Sequence, residues 1–237
     1  MRFRFFPSLT LFLLFSLFSL SACSSSPGPT RIPTVQEVLQ TAQTAMQQIK
    51  AYHFALTTQN PGSNGLFALT QATGDLLAPD KLQASATGKT LLGTVTVQVI
   101  ALGTQQYITN PLTGSWLPGQ GLVNATSLAD PEGGVTAILR QLKQPGPLHS
   151  SSSDGRPCWQ IDGTLDPHSL LDYVAAVLPI TTPVTISVCI GTHDNLPYQV
   201  QMHGMIIHGD SAQTQRTFTL SRFNENITIN APTITHP

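Results

Sequence analysis

Apolar and polar residues alternate through much of residues 66–109, with Leu82, Ala84 and Ala86 set against Gln83, Ser85 and Thr87, and Val95, Val97 and Val99 against Thr94, Thr96 and Gln98. A period of two marks half-buried antiparallel strands, because successive side chains of a strand point to opposite faces. Turn residues interrupt the runs, so the segment predicts a meander of three or four strands with one apolar and one wetted face.

Ahead of the meander the period becomes helical. Thr34-Val35-Gln36-Glu37 is a capping box, in which the Thr hydroxyl and the Glu carboxylate satisfy free backbone donors at a helix start. Val35, Val38, Leu39, Ala42, Ala45, Met46, Ile49 and Tyr52 then predict one apolar stripe over roughly five turns. A first strand is predicted over 53–59. Beyond Trp116 the periodicity is lost over 118–127, and Asp130-Pro131-Glu132 predicts the start of a second helix carrying Val135, Ile138, Leu139 and Leu142. Gly133-Gly134 weakens its first turn. Residues 144–155 read as a polar loop, and further strands are predicted over 155–165, 183–192, 196–208, 213–222 and 225–234. Leu170, Leu171, Val174 and Leu178 predict a third helix over 167–178. The order is that of an α+β fold on one antiparallel sheet, with no internal boundary or repeat.

Arg2 and Arg4 precede an apolar run from Leu9 to Leu20, which ends in Leu20-Ser21-Ala22-Cys23. A basic start, a short apolar stretch and small residues before a cut site make a secretory signal over 1–22, too short to span a bilayer of ~30 Å. The last four residues fit a lipobox, in which Cys23 takes a lipid on sulfur and becomes the first mature residue. An incidental Cys behind an ordinary signal is the alternative, but the Ser, Pro and Gly tether over 23–33 has no means of burying a thiol. The domain is then 34–237.

Composition follows this address. Removing Arg2 and Arg4 from the 11 basic residues leaves nine against 12 acidic, a formal charge of −3, which is no electrostatic footprint for nucleic acid. Charged residues are only 10% of the chain, so Thr, Gln, Ser and Asn must supply most of the wetted surface. Cys158 and Cys189 are too far apart for a C-x-x-C pair, and an oxidising compartment favours a disulfide between them. Antiparallel pairing of 155–165 with 183–192 that sets Cys158 opposite Cys189 and Leu165 opposite Thr182 puts both Cys on the polar face, with Gln160, Asp162, Thr185 and Ser187. Two free buried thiols are the alternative.

No G-x-S-x-G, P-loop, H-E-x-x-H or dinucleotide fingerprint occurs in the chain. His203 and His208 lie five apart on an expected strand, hence on opposite faces, and form no metal site without help from His193 or elsewhere. Asp166-Pro167-His168 reads as the cap of the third helix rather than as a catalytic dyad. Trp116 and Trp159 are more simply core than ligand platforms. No residue earns a catalytic role, and neither a cofactor nor a metal is expected.

Gly74-Asp75-Leu76-Leu77-Ala78-Pro79-Asp80-Lys81, a short alternating strand, the Val95-Thr96-Val97-Gln98-Val99 strand, Tyr107-Ile108 and then Pro111-Leu112-Thr113-Gly114-Ser115-Trp116 occur in that order. In this order and spacing the chain resembles the LppX/LprAFG family of bacterial lipoproteins, most closely over residues 50–116. That family is similar in fold to the LolA/LolB lipoprotein carriers, so the resemblance implies a curved antiparallel half-barrel whose concave face and roughly three covering helices hold acyl chains. It implies a lipid or glycolipid ligand, a membrane reached through the N-terminal lipid, and carriage toward the outer envelope, with an envelope transporter as a further candidate partner. Expected wall residues are Phe54, Leu56, Leu69, Leu82, Val95, Val97, Val99, Ile186, Val188, Val200, Met202, Phe218 and Leu220. The competing expectation is a closed core under the same residues, in a non-enzymatic surface scaffold that binds a protein partner.

Overall fold

Thr34 opens the first helix as its sequence demands. Its hydroxyl accepts from the Glu37 N–H at 3.2 Å, and the Glu37 carboxylate accepts from the Thr34 N–H at 2.7 Å. The helix, α1 (Val35–Gln47), buries Val38, Leu39, Ala42 and Met46, but stops at Gln47 instead of running on to Tyr52. The cause is tertiary. The Lys50 N–H donates to the Asn224 side chain at 2.7 Å, and the Lys50 carbonyl accepts from the Ala78 N–H at 2.7 Å, so the backbone is already committed to the sheet.

The computed structural model describes residues 31–62, 67–121, 124–166, 168, 182–206 and 210–234. Within the compact unit Pro33–Pro237, the strands in chain order are β1 (Ala51–Gln59), β2 (Ala68–Leu77), β3 (Lys81–Thr90), β4 (Gly93–Leu102), β5 (Gln105–Thr109) and β6 (Trp116–Gly119). Two helices follow, α2 (Ala125–Ala129) and α3 (Gly134–Gln141), and then β7 (His149–Ser153), β8 (Arg156–Leu165), β9 (Val184–Gly191), β10 (Pro197–His203) and β11 (Gln215–Ser221). All 11 strands form one open antiparallel sheet in the order β6-β5-β4-β3-β2-β1-β11-β10-β9-β8-β7. Two meanders therefore meet where β1 pairs with β11, from His53 opposite Ser221 to Gln59 opposite Gln215. Buried residues of the three helices join one face of this sheet in a single apolar cluster, and that face is called inner below. The α+β architecture on one antiparallel sheet is the one expected.

Several local expectations are corrected. The second helix does not start at Asp130; Asn124 caps the short α2, its side chain accepting from the Ser127 N–H at 3.0 Å, and Gly134, at φ +49°, starts α3. The aperiodic stretch after Trp116 holds β6 as well. The polar loop 144–155 contains β7, a Ser-rich edge strand with no apolar alternation to betray it. Its signal was the turn: Asp154 and Gly155 both sit at positive φ, 49° and 74°, as a two-residue hairpin requires. β10 ends at His203, where Gly204 turns at φ +129° with its N–H on the Thr214 carbonyl at 2.9 Å. Residues 225–234 form no strand; Ile229 is buried without a ladder partner. The expected third helix lies outside the described residues, save His168 at its expected start.

The β8–β9 register also differs from the expected one by two residues. Cys158 lies opposite Gly191, Cys189 opposite Gln160, and Leu165 opposite Val184 rather than Thr182. A slip of two keeps every side chain on its face, so the disulfide Cys158–Cys189 still forms, on the diagonal, with Cα atoms 5.5 Å apart. Its surroundings are not polar, however. Both Cys are buried with Tyr198, beside Leu196 and Phe223, in a small apolar cluster of their own.

Candidate lipid-binding face

The strand registers line up the inner face row by row. One row runs across eight strands: Ile161, Val188, Val200, Phe218, Leu56, Ala72, Ala86 and Val97, each opposite the next. A neighbouring row carries Leu220, Phe54, Gly74, Ala84, Val99 and Ile108, and a third carries Gly163, Ile186, Met202 and Arg216 on one side and Gly88 and Val95 on the other. Leu82 lies between Leu76 and Ala101. Leu69 has the wrong parity for β2, yet it faces Gly88 because the β2–β3 register shifts between Leu69 and Gln71. A one-residue bulge there flips the alternation and returns Leu69 to the apolar side. Every expected wall residue thus lies on one continuous face.

Cover over that face is uneven. Tyr52, Phe54, Leu76, Leu82, Val99 and Ala101 are buried in the main core, as are Val188, Val200 and Leu220, whereas Leu56, Leu69, Ala72, Ala86, Val95, Val97, Met202 and Phe218 are only half-buried. On β2 and β4 the inner-face positions are buried toward Leu76 and Ala101 and only half-buried toward Leu69 and Val95, whereas Thr58 of β1 and Gly88 of β3 are buried at that end too. Burial pushes the Tyr52 phenol well above its ordinary pKa, as expected of a dry site. In the middle of the face the Phe54 and Phe218 rings stack at 5.3 Å with planes 7° apart. Gly74 makes room for close strand pairing next to this stack, since a Cβ there would fall 2.2 Å from the Gln83 carbonyl oxygen.

One feature of the inner face escaped the sequence pattern. Arg216, between Met202 and Thr58, points into the apolar side and is paired with Asp210 through two hydrogen bonds of 2.6 and 2.7 Å. Both side chains are buried, and Asp210 also accepts from the Ile206 N–H at 2.9 Å. The pair fastens the segment between β10 and β11 to the sheet. Even-numbered positions of β11 could have suggested an inward Arg, but nothing in the pattern names its partner.

The outer face carries a polar cluster around His53. Asp75 accepts from Arg222 at 2.9 Å and from Gln83 at 3.1 Å, and lies 2.8 Å from His53 Nδ1, while Thr73 Oγ1 lies 3.0 Å from His53 Nε2. His53, Thr73, Asp75 and Gln83 line, with Ser85, Gln98, Ile100 and Trp116, a hollow of about 330 Å³. Trp159 packs against the main core. His193 and His203 are exposed, and His208 lies outside the described residues. The Asp166 carboxylate accepts from the His168 N–H at 3.1 Å, and the His168 hydrogen bonds lower its pKa. Among the described residues no group of His, Cys, Asp and Glu could hold a metal, and no helix is long and apolar enough to cross a membrane.

The sequence matches the profile of the LppX_LprAFG lipoprotein family over residues 34–229. The chain belongs to this family. Its fold is similar to that of LprF from Mycobacterium bovis, at 16% identity and a TM-score of 0.64, covering 83% of this chain and 96% of that one. It is similar also to the lipoprotein LppX from Mycobacterium tuberculosis, at 17% identity and a TM-score of 0.59, covering 83% of this chain and all of the other (100%). A LolA superfamily protein from Nitrosomonas europaea aligns over 83% of this chain and 96% of its own, at 11% identity and a TM-score of only 0.30. Compared with curated proteins, the sequence matches none. Family membership makes this a lipoprotein-family chain, and the two mycobacterial structures establish the fold.

Proposed function

We propose that the half-buried part of the inner face binds the acyl chains of a lipid or glycolipid, and that the protein, held outside the cytoplasm by a lipid on Cys23, carries them across the cell envelope. The observation that supports this reading is the eight-strand row from Ile161 to Val97, apolar throughout and only half-buried at Phe218, Leu56, Ala72, Ala86 and Val97. An apolar row left half-open on a domain of this size calls for an occupant. Acyl chains fit it, because each buried methylene contributes about 0.8 kcal/mol and no polar group is needed along the row. No step of bond chemistry is part of the proposal. In this reading residues 1–22 are the signal, 23–33 the tether and 34–237 the binding domain.

Val97→Trp separates this from a closed scaffold. Filled from the wall, an open face should lose its co-purifying lipid while the melting temperature holds; a fully packed face should lose ~1–3 kcal/mol of stability and show no ligand effect. The measurement is organic extraction and mass spectrometry of residues 33–237, wild type and variant, alongside thermal unfolding. Wild type that carries no stoichiometric lipid and takes up no added diacyl lipid sinks the carrier reading.

Cys23→Ser tests the anchor. The variant should accumulate as an uncut precursor that stays out of the detergent phase, whereas wild type partitions into it. Equal partitioning and the same mature N-terminus in both would refute lipid attachment at Cys23.

A further inference from the structure

Six large apolar side chains are left exposed among the described residues, and four of them, Phe67, Leu91, Leu92 and Leu112, lie at one end of the sheet. The registers put them there. The β3–β4 hairpin closes where Thr90 faces Gly93, Phe67 precedes the Ala68–Lys89 pair, and Leu112 sits in the turn between Thr109 and Trp116. Leu91 and Leu92 are 94% and 99% exposed and Leu112 is 93% exposed, so these side chains touch almost nothing of their own protein. Isolated exposed leucines are ordinary, but adjacent ones at a hairpin tip, where turns favour Asn and Gly, are not.

These tips are held in place. Thr90 Oγ1 accepts from the Leu92 N–H at 3.1 Å and donates to the Gly93 carbonyl at 2.9 Å, with Gly93 at φ +121°. In the neighbouring turn the Asn110 side chain accepts from the Leu112 N–H at 2.9 Å and the Gly114 N–H donates to the Asn110 carbonyl at 2.8 Å. The Phe67 ring lies over Gly88, where a Cβ would fall 2.6 Å from it. Across 67–71, 86–97 and 109–117 there is no Asp or Glu and one cation, Lys89, with Thr90, Thr94 and Thr113 around the tips. At this end the inner-face residues Leu69, Val95 and Val97 are only half-buried.

We propose that this rim is a membrane-insertion edge. Leu91 and Leu92, with Leu112 and Phe67 beside them, enter the acyl layer of a bilayer while Lys89 stays at the level of anionic headgroups. Aliphatic tips in an acid-free rim suit lipid better than a protein partner, whose interface would favour Tyr, Trp and Arg anchors. Insertion sets the half-open inner face against the membrane, so a chain moves between bilayer and protein without crossing water; this part rests on the carrier reading above.

The test uses residues 33–237, which hold the whole sheet and its core, with sucrose-loaded vesicles of phosphatidylcholine and phosphatidylglycerol. Wild type should sediment with the vesicles. Leu91→Asp with Leu92→Asp should weaken partitioning by about a hundredfold, and Thr104→Asp, at the opposite end of β4, should leave it unchanged. A polarity-sensitive fluorophore on Leu92→Cys should shift to the blue on adding vesicles. Wild type that stays in solution, Asp variants that sediment equally, or a fluorophore that does not respond each overturns the proposal. So does a rim that ignores pure lipid but binds vesicles carrying membrane proteins. Extractable lipid, measured on the same samples, reports the carrier reading separately: bound lipid without vesicle binding defeats only the rim, and vesicle binding without bound lipid defeats only the cavity.

Discussion

Asp210→Ala should lower the free energy of unfolding by about 3–5 kcal/mol, the range for removing one member of a buried ion pair. Asp210 and Arg216 face each other in a two-bond geometry, with side chains only 2% and 8% exposed. Without Asp210 the guanidinium stays buried between Met202 and Thr58 with its counter-charge removed. The pair itself is not expected to supply that much net stability, because both charges were desolvated to make it. Asp210→Ala combined with Arg216→Met should therefore recover most of the loss. Urea unfolding of the two single variants and the double variant gives the coupling directly. Additive losses, with the double variant the least stable of the three, would show that the pair is not what anchors the segment after β10.

Removing the Cys158–Cys189 disulfide should cost about 3–4 kcal/mol by the chain-entropy argument, given a sequence separation of 31 between the two Cys. The effect acts on the unfolded chain, which regains the freedom of the closed loop, so the folded sheet need not change. Cys158→Ala with Cys189→Ala is the better variant than Ser, since both sulfurs are buried and new hydroxyls there would add a desolvation cost of their own. The denaturation midpoint should drop while the ligand carried by wild type is retained. Intact mass without reductant should lie about two daltons below the reduced form, since closing the bond releases two hydrogens. Two thiols open to alkylation in folded, never-reduced protein would contradict the bond.

The strands of the opening meander were legible because half of each strand is wet. Leu82, Ala84 and Ala86 alternate with polar neighbours, and the structure pairs them with Ala101, Val99 and Val97. The α1 start was legible because its cap is local in sequence. β7 was not, since an all-polar edge strand such as His149–Ser153 has no apolar residues to alternate, and only the Asp154-Gly155 turn marks it. Residues 225–234 failed the other way, for their Ile227 and Ile229 alternate with polar residues but find no strand to pair with. Parity places a wall side chain such as Val97 on a face and says nothing of what lies above it.

What the sequence by itself determined is therefore periodic or local: the two faces of the strands, the helix cap and the likeness to a lipoprotein family. What only the tertiary structure decided is non-local. The β1–β11 pairing joins residues as far apart as His53 and Ser221, the bulge after Leu69 restores its parity, the β8–β9 register is set two residues from the expected one, and Arg216 finds Asp210. The uneven cover of the inner face belongs to the same class, because exposure depends on where α1, α2 and α3 stop over the sheet, and hydrophobic burial carries no direction along the chain that a pattern of residues could record.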